Sequence, residues 1–392
     1  MAEPATVRET TGVRRAANAA LVVLFAVAIG LPCIATAFGI ATGGLVGENH
    51  PPAPAPDWSA GIVAVRPQLA AWFDEHFGFR NLLVRGYGLF AFRVFGVSIS
   101  RDVVPGRAGW LFYDADRILE SRRGLLPFTQ DELAAWQTRL EERRDWLAAR
   151  GIRYVFAVAP EKSSIYAEHL PESLQPIGAP TRADQLLLWM RMHSTVPSLD
   201  FRPALGAAKS LDRLYHRTDT HWNDAGAFVA YREVETWLRA QFPAFQPLDP
   251  ALFAREVRTG VAGDLAAMMA IAPFLTEDRI ALVPKSPSPV EPAEPSAVMR
   301  TRRYPPNNDP KVFECPTGEL GRAVIVHDSF FLAVQPWLAR HFRRSVFLRS
   351  VFAPEVILDE KPEVVIEEMI ERVLSRPDFL PASELAAYPL KR

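Results

Sequence analysis

The chain has 392 residues, enough for one large domain or two smaller ones. Hydrophobic residues make up 49% of it and charged residues 23%, a balance that supports a buried core. The formal net charge is −1 and no basic stripe with interleaved aromatic residues occurs, which argues against nucleic acid as a partner.

An uncharged apolar segment near the N-terminus predicts a membrane-spanning helix. No charged residue occurs in residues 16–47, and a helix of about 20 apolar residues crosses the hydrocarbon core of a bilayer. Three arginines fall within residues 1–15, so the positive-inside rule keeps that end in the cytoplasm and exports the rest. A cleaved signal peptide is the alternative, because residues 35–37 (ATA) fit a cleavage site. The apolar run continues past that site, which favours an uncleaved signal anchor.

A proline-rich segment separates the predicted anchor from the rest of the chain. Residues 48–65 are predicted to be a linker, in which the run PPAPAP at 51–56 is a stiff, extended spacer. Residues 66–392 form the predicted exported domain. This domain opens with an aromatic-rich stretch, residues 66–95, whose phenylalanines we expect in the core of amphipathic helices.

Helices and short apolar strands alternate along the rest of the chain. The predicted helices cover residues 132–150, 183–192, 225–241 and 330–341, and the predicted strands cover residues 154–159, 323–326, 346–348 and 364–366. These strands are continuously apolar, which is typical of a parallel sheet covered on both faces. The pattern predicts an α/β fold with a doubly wound, mostly parallel sheet.

The segment 325–330 (IVHDSF) runs from a predicted strand through a short turn into a predicted helix. Ser329 lies at this junction, and its amide N–H points out of the helix N-terminus, where partial positive charge favours an anion. A nucleophile that must also stabilise an oxyanion needs this arrangement. Ligands of open α/β sheets bind beyond the carboxyl ends of the strands, where Ser329 is expected.

The segment 218–223 (TDTHWN) lies just before the predicted helix 225–241. A serine nucleophile needs a base within hydrogen-bond reach, and the base needs an orienting carboxylate. His221 and Asp219 supply both types of group. The sequence leaves open whether they meet Ser329 in space.

Structural roles for the same residues stay open at this point. Asp219 is also a favoured cap for the following helix, Ser329 is a favoured N-cap, and His221 is equally compatible with a satisfied core histidine. A metal site is a further alternative, with six potential ligands: His216, Asp219, His221, Asp224, His327 and Asp328. Their spacing matches neither HExxH nor CxxC, so we predict no metal and no cofactor.

Five segments, in the same order along the chain, resemble the alginate O-acetyltransferase AlgJ/AlgX family. They are residues 73–80 (FDEHFGFR), 106–113 (GRAGWLFY), 159–162 (APEK) with 165–166 (IY), 218–223 (TDTHWN) and 327–330 (HDSF). The resemblance runs from about residue 73 to residue 374, and it implies a variant of the SGNH hydrolase fold.

The resemblance also assigns roles to individual residues. It implies that Ser329 is the nucleophile and that Asp219 and His221 complete a catalytic triad. The chain order Asp, His, Ser is that of the acetyltransferases, whereas ordinary SGNH hydrolases place the serine first. His327 stands where the family usually has glycine, and its side chain is expected to crowd the turn or to contact the substrate.

The function implied by the resemblance is polysaccharide O-acetylation through an acetyl-serine intermediate. The acceptor would be alginate or a related exopolysaccharide, and a membrane-bound O-acyltransferase partner would supply acetyl groups, among other proteins of exopolysaccharide synthesis and export. The chain stops about 60 residues after Ser329, without room for a carbohydrate-binding module, as in the AlgJ-type architecture. With the anchor, this implies a single-pass protein of the bacterial inner membrane whose catalytic domain is periplasmic.

Four residues near the motifs are weaker candidates for substrate binding. Trp222 and Tyr113 are expected to stack on sugar rings, with core packing as the alternative for each. Lys162 is expected to contact an acidic polymer, although an ordinary solvated lysine is the simpler interpretation, and His327 completes the set. Two other functions remain open, a carbohydrate acetylesterase with the same triad and a non-catalytic polysaccharide-binding scaffold.

Overall fold

The computed structural model describes residues 6–38, 53–376 and 384–388. These residues form two compact units, and each is described by itself below. Unit 1 takes its described residues from positions 1–100 and 267–274, and unit 2 takes them from positions 101–266 and 275–392. Parts of the predicted anchor and linker, residues 39–52, lie outside the described residues.

Unit 1 begins with a long apolar helix, α1 (Thr6–Ala37). Its segment Gly12–Thr36 is long and apolar enough to cross a membrane, by length and composition, and it alone among the described helices passes that test. This finding is consistent with the predicted single-pass anchor.

Two further helices of unit 1 follow the proline-rich segment. They are α2 (Ile62–His76) and α3 (Arg80–Phe90), and α3 continues as a π-helical turn, Ala91–Phe95. The expectation that the phenylalanines of this region are core residues is wrong for Phe73, Phe90 and Phe95, which are exposed. Helical spacing predicted an apolar face here, but spacing alone does not say which face meets the protein interior.

Unit 2 contains the remaining strands and most of the remaining helices. In chain order they are β1 (Val103–Pro105), β2 (Leu111–Tyr113), α4 (Ile118–Arg122), α5 (Gln130–Ala148), β3 (Arg153–Ala159), α6 (Lys162–Ile165), α7 (Arg182–His193), β4 (Ser198–Asp200), α8 (Arg202–Ala208), α9 (Asp224–Gln241), β5 (Phe253–Val261), α10 (Asp264–Met268, at the boundary between the units), β6 (Glu277–Pro284), β7 (Glu291–Pro292), α11 (Ala297–Thr301), β8 (Lys311–Glu314), β9 (Leu320–His327), α12 (Gln335–Leu338), β10 (Phe342–Arg349), α13 (Pro354–Glu360) and β11 (Val364–Ile370).

A seven-stranded sheet forms the centre of unit 2, in the order β4-β3-β11-β9-β10-β8-β7. The first five strands are parallel, and β8 and β7 add an antiparallel edge. The prediction of a mostly parallel α/β sheet is therefore confirmed. The carboxyl ends of β3, β9 and β11 meet at one edge, which is the usual place for a ligand site in such folds.

Successive side chains of the central strands enter different cores. In β9, Ile325 packs in the core that contains α9, whereas Val324 and Val326 pack in the core that contains α5, α7 and α13. Because side chains alternate across a strand, a strand covered on both faces is apolar at most positions. This is why the predicted strands read as continuous apolar runs.

The helix predicted over residues 330–341 is broken into three short pieces. They are two 3₁₀ turns, Phe330–Leu332 and Ala339–His341, on either side of α12. Pro336 lies at the start of α12 and has no N–H to donate to the carbonyl four residues earlier. Pro336 therefore disfavours a continuous helix from Ser329, and the chain after the serine turns tightly instead.

Candidate active site

Ser329, His221 and Asp219 converge at the carboxyl ends of the central strands. Ser329 follows β9 directly, and the other two lie in the loop before α9. The Ser329 Oγ is 2.8 Å from His221 Nε2, and His221 Nδ1 is 2.8 Å from Asp219 Oδ1. These distances are those of hydrogen bonds, so a hydroxyl, an imidazole and a carboxylate lie in line.

The loop that carries Asp219 and His221 is closed on itself by main-chain contacts. Tyr215 and Trp222 form an isolated antiparallel bridge, and the Asn223 N–H donates to the Leu214 carbonyl at 2.9 Å. The Asn223 side chain accepts the Gly226 N–H at 3.1 Å and so caps α9. Asp219 is therefore not the helix cap that its sequence position also allowed.

The Asp219 carboxylate is held on both oxygens. Oδ1 accepts the His221 main-chain N–H at 3.1 Å as well as the ring Nδ1–H, and Oδ2 accepts Arg279 Nη2 at 2.7 Å. Burial acts to raise the pKa of Asp219, but the hydrogen bonds and charge of His221 outweigh it and lower that pKa below its usual value. An ionised Asp219 holds the His221 proton on Nδ1 and leaves Nε2 free to accept from Ser329.

A hairpin, β5–β6, supports this loop from the side. The Glu277 carboxylate accepts the Thr218 N–H at 2.8 Å and the Thr218 hydroxyl at 2.6 Å. Asp264, at the start of α10 in the segment that joins β5 to β6, accepts the Thr220 N–H at 2.7 Å. The main chain on both sides of Asp219 is thus fixed by buried or half-buried carboxylates.

The turn that carries Ser329 is fixed by its neighbour Asp328. The Asp328 carboxylate accepts the Phe330 N–H at 2.8 Å and the Ile370 N–H at 2.6 Å, which ties the turn to the end of β11. No described residue accepts a hydrogen bond from the Ser329 amide N–H. That donor is available to an oxyanion formed at the serine.

Buried charges lie beneath the serine turn. Arg372 pairs with Glu161 at 2.5 Å, and its guanidinium lies 4.7 Å from the centre of the Tyr113 ring. Burial raises the pKa of Glu161 to about 7 even though Arg372 opposes that shift, and burial also raises the pKa of Asp328. The region beneath the nucleophile is therefore rich in carboxyl groups that hold protons more tightly than usual.

Two of the four weaker candidates are aromatic. Trp222 is buried, with 2% of its surface exposed, and its indole N–H donates to the Phe330 carbonyl at 2.9 Å. Trp222 thus joins the two segments of the triad and offers no face to a sugar ring. Tyr113 is half-buried and lies on the Arg372 guanidinium, so one part of it remains accessible.

Lys162 lies under the loop that carries Asp219 instead of facing solvent. Its ammonium donates to three main-chain carbonyls, those of His216 at 3.0 Å, Arg217 at 3.2 Å and Asp219 at 2.7 Å. Burial lowers the pKa of Lys162 to about 8, against the opposing charges of Glu277 and Asp264. All three donors are used within the protein, which leaves none for an acidic polymer.

His327 is buried on the α9 side of the sheet. Its Nδ1 is 2.5 Å from the Asp328 carbonyl oxygen and its Nε2 is 3.1 Å from the Gln335 amide nitrogen. Burial lowers the pKa of His327 to about 4, so the ring is neutral at physiological pH. The side chain that replaces the family's glycine fills space behind the turn and has almost no exposed surface.

Of the six potential metal ligands, Asp219 and His221 lie close together. With Asp264 they form a group whose ligand atoms lie within 4.8 Å of one another, and the search that found it covered only the described part of the chain. Arg279 already pairs with Asp219, and His221 is bonded to Ser329. A guanidinium at this position opposes the binding of a cation.

Three functional neighbours were missed by the sequence analysis, namely Arg279, Glu277 and Asp264. Glu277 and Arg279 lie in β6 and Asp264 at the start of α10, 44 to 60 positions from the motif residues that they contact. Nothing in their local sequence marks them, because each acts through a long-range contact.

The family model described as "SGNH hydrolase-like domain, acetyltransferase AlgX" matches residues 103–299, half of the chain. The chain belongs to this family. The matched residues of this AlgX-type domain include Asp219 and His221 and end before Ser329.

Two relatives of this SGNH-like chain carry the name "Probable alginate O-acetylase AlgJ". The protein of Pseudomonas syringae pv. tomato is 27% identical over 54% of this chain and 51% of its own length. That of Pseudomonas aeruginosa is 24% identical over 62% of this chain and 60% of its own length. The chain thus spans about half the length of the curated relatives it matches.

A solved structure, Bacillus cereus PatB1, shares the fold. It superposes with a TM-score of 0.52 at 17% identity, over 70% of this chain and 98% of PatB1. The likeness concerns the fold alone. Together with the family model, it confirms the predicted SGNH hydrolase-like fold and the resemblance found in the sequence.

Replacement of Lys162 by Met is expected to lower the free energy of unfolding by about 3 kcal/mol, because three buried carbonyls lose their donor. Chemical unfolding followed by circular dichroism measures this change. Lys285→Met, at an exposed position, is the control and should change stability by less than about 0.5 kcal/mol. Equal unfolding midpoints for the two variants would contradict the assigned position of the ammonium.

His327 should make the protein less stable in mild acid. The pKa of His327 is about 4 in the folded state and 6.5 in the reference state, so the unfolded chain binds the proton first as the pH falls. Stability is therefore lost between pH 6.5 and 4, by about 2 kcal/mol between pH 7.5 and 5. Urea unfolding at those two pH values should show a smaller loss for His327→Gln than for the wild type; identical losses would refute the expectation.

Proposed function

We propose that this chain is a periplasmic polysaccharide O-acetyltransferase that works through an acetyl-serine intermediate. The observation that carries the proposal is the line of hydrogen bonds from Ser329 through His221 to Asp219. Membership of an acetyltransferase family, and relatives named as probable alginate O-acetylases, support transfer of an acetyl group. In this proposal residues 16–47 are the anchor, 48–65 the linker and 66–392 the exported catalytic region.

The first half-reaction loads the serine. His221 Nε2 takes the Ser329 hydroxyl proton while Oγ attacks the carbonyl carbon of an acetyl donor. The Ser329 amide N–H donates to the oxyanion that forms. His221 then gives its proton to the leaving group of the donor, the donor bond breaks, and an acetyl ester remains on Ser329.

The second half-reaction transfers the acetyl group to a sugar. A hydroxyl of the acceptor gives its proton to His221 Nε2 and attacks the acetyl carbonyl carbon. The bond to Ser329 Oγ breaks, and Oγ takes the proton back from His221. Asp219 stays ionised throughout and stabilises the imidazolium in both halves.

The location that the anchor implies restricts the acetyl donor, and the names of the relatives suggest the acceptor. Acetyl-CoA is a cytoplasmic compound, so an exported enzyme needs a partner that passes acetyl groups across the membrane. A membrane-bound O-acyltransferase fits that role. Alginate or a related exopolysaccharide is the proposed acceptor, because the relatives' names specify alginate.

Replacement of Ser329 by Ala is expected to reduce acetyl transfer by at least about a thousand-fold, because it removes the hydroxyl that lies in line with His221. The assay uses p-nitrophenyl acetate as donor and an alginate oligosaccharide as acceptor, with the acetylated oligosaccharide detected by mass spectrometry. Ser210→Ala, at an exposed position, is the matched control and should keep wild-type activity.

Two outcomes of that assay would overturn the proposal. Free acetate without acetylated oligosaccharide, at every acceptor concentration, would favour a carbohydrate acetylesterase. Unchanged transfer by Ser329→Ala would remove the serine from the chemistry and favour a polysaccharide-binding scaffold.

Replacement of Arg279 by Met is expected to lower kcat about tenfold or more and to leave KM nearly unchanged. The guanidinium donates to Asp219 and to the Ala262 carbonyl, so its loss weakens the orientation of His221. Arg258→Met is the control, since Arg258 pairs with Arg279 in the β5–β6 ladder but is exposed. An equal loss in both variants would indicate a general effect on the hairpin.

A further inference from the structure

The outer face of α3 and its π-helical turn is apolar and exposed. Leu83, Tyr87, Phe90 and Val94 recur at intervals of four, three and four residues and therefore lie along one face. Each has between 53% and 65% of its surface exposed. Leu82 and Phe95 flank this row and are exposed as well. We call these six residues the α3 face.

The opposite side of α3 is fixed against the rest of unit 1. Gly88 and Ala91 are buried, and a Cβ added at Gly88 would lie 2.5 Å from the Met269 carbonyl oxygen and 3.4 Å from the Ile271 side chain. The helix therefore approaches this segment as closely as a glycine allows. Rotation that buries the α3 face instead would force larger side chains into that contact.

The start of α3 lies against the end of the candidate membrane span. The Gly78 N–H donates to Thr36 Oγ1 at 2.7 Å, and a Cβ at Gly78 would lie 2.5 Å from the Pro32 carbonyl oxygen. Thr36 is the last residue of that span, and α3 begins two residues after Gly78. If α1 crosses the bilayer, α3 begins at the surface of the leaflet in which α1 ends.

The chemistry of this segment suits a lipid surface. Residues 77–97 contain three arginines and no aspartate or glutamate. Helices that lie in the bilayer interface combine arginine or lysine with an apolar face, and aromatic side chains are enriched at that depth. Contiguous exposed apolar patches on proteins often mark sites of interaction with a membrane or with another protein.

We propose that the α3 face lies in the boundary between headgroups and acyl chains of the leaflet at which α1 ends. The ligand is the bilayer itself. The proposal rests on the membrane anchor of the proposed function and is independent of acetyl transfer. It gives unit 1 a second contact with the membrane besides the spanning helix.

Spin labels on the full-length protein test this placement. Cys33→Ala leaves buried Cys315 as the remaining natural cysteine, and single cysteines at Leu83, Tyr87 or Phe90 then carry the label. Asp131→Cys, on the exposed side of α5, is the control. The protein is reconstituted in vesicles of phosphatidylcholine and phosphatidylglycerol, and collisions with oxygen and with a water-soluble nickel chelate are measured.

Labels on the α3 face should show a ratio of oxygen to nickel collisions several-fold higher than the control label. A ratio equal to that of the control would place the face in water and overturn the proposal. Low collision rates with both reagents would place it against protein, which also overturns it.

A variant separates the lipid contact from the fold and the chemistry. Leu83→Glu with Tyr87→Glu should remove the high ratio at a Phe90→Cys label while acetyl transfer to a soluble oligosaccharide stays within about twofold of wild type. A high ratio retained in that variant would contradict the proposal. If the wild type also shows no acetyl transfer, that result counts against the proposed function. The collision data still test the membrane contact in that case.

Discussion

The hydrogen bond between Ser329 Oγ and His221 Nε2 is the contact on which the candidate active site depends. It joins the end of β9 to the loop before α9, two segments 108 residues apart in the chain. A second contact runs beside it, since the Trp222 indole donates to the Phe330 carbonyl. Each segment thus contributes one donor and one acceptor. Two such bonds fix both the distance and the relative orientation of the two segments, which a single bond would not.

Charged side chains hold the loop that presents His221, in addition to the main-chain contacts within the loop. Lys162 binds its carbonyls from below, Glu277 binds its N–H groups from the hairpin, and Arg279 holds the carboxylate of Asp219. Buried charges cost desolvation energy, which hydrogen bonds and opposite charges at the same place offset. Each of these three side chains makes two or more hydrogen bonds to main chain or to the triad.

Prediction of the fold succeeded where the signal was local or periodic. Continuous apolar strands predicted a sheet covered on both faces, and the helix over 132–150 is observed as Gln130–Ala148, with a capping box at Thr129 that marks its start. The prediction of a helix over 330–341 was wrong, because it gave more weight to the apolar spacing than to the missing N–H of Pro336. The prediction that the phenylalanines of residues 66–95 are core residues was wrong for Phe73, Phe90 and Phe95, which are exposed. A periodic apolar face does not reveal what covers it.

The sequence by itself determined the apolar N-terminal segment, the alternation of strands and helices, and the residue types at 219, 221 and 329. These features are local: each can be recognised from residues that lie a few positions apart in the sequence. Only the tertiary structure decided that Lys162 and His327 are buried and that Arg279 meets Asp219. It also decided that the α3 face points outward from unit 1. The physical reason is that burial and long-range pairing depend on which surfaces come together, and local pattern carries no information about the partner surface.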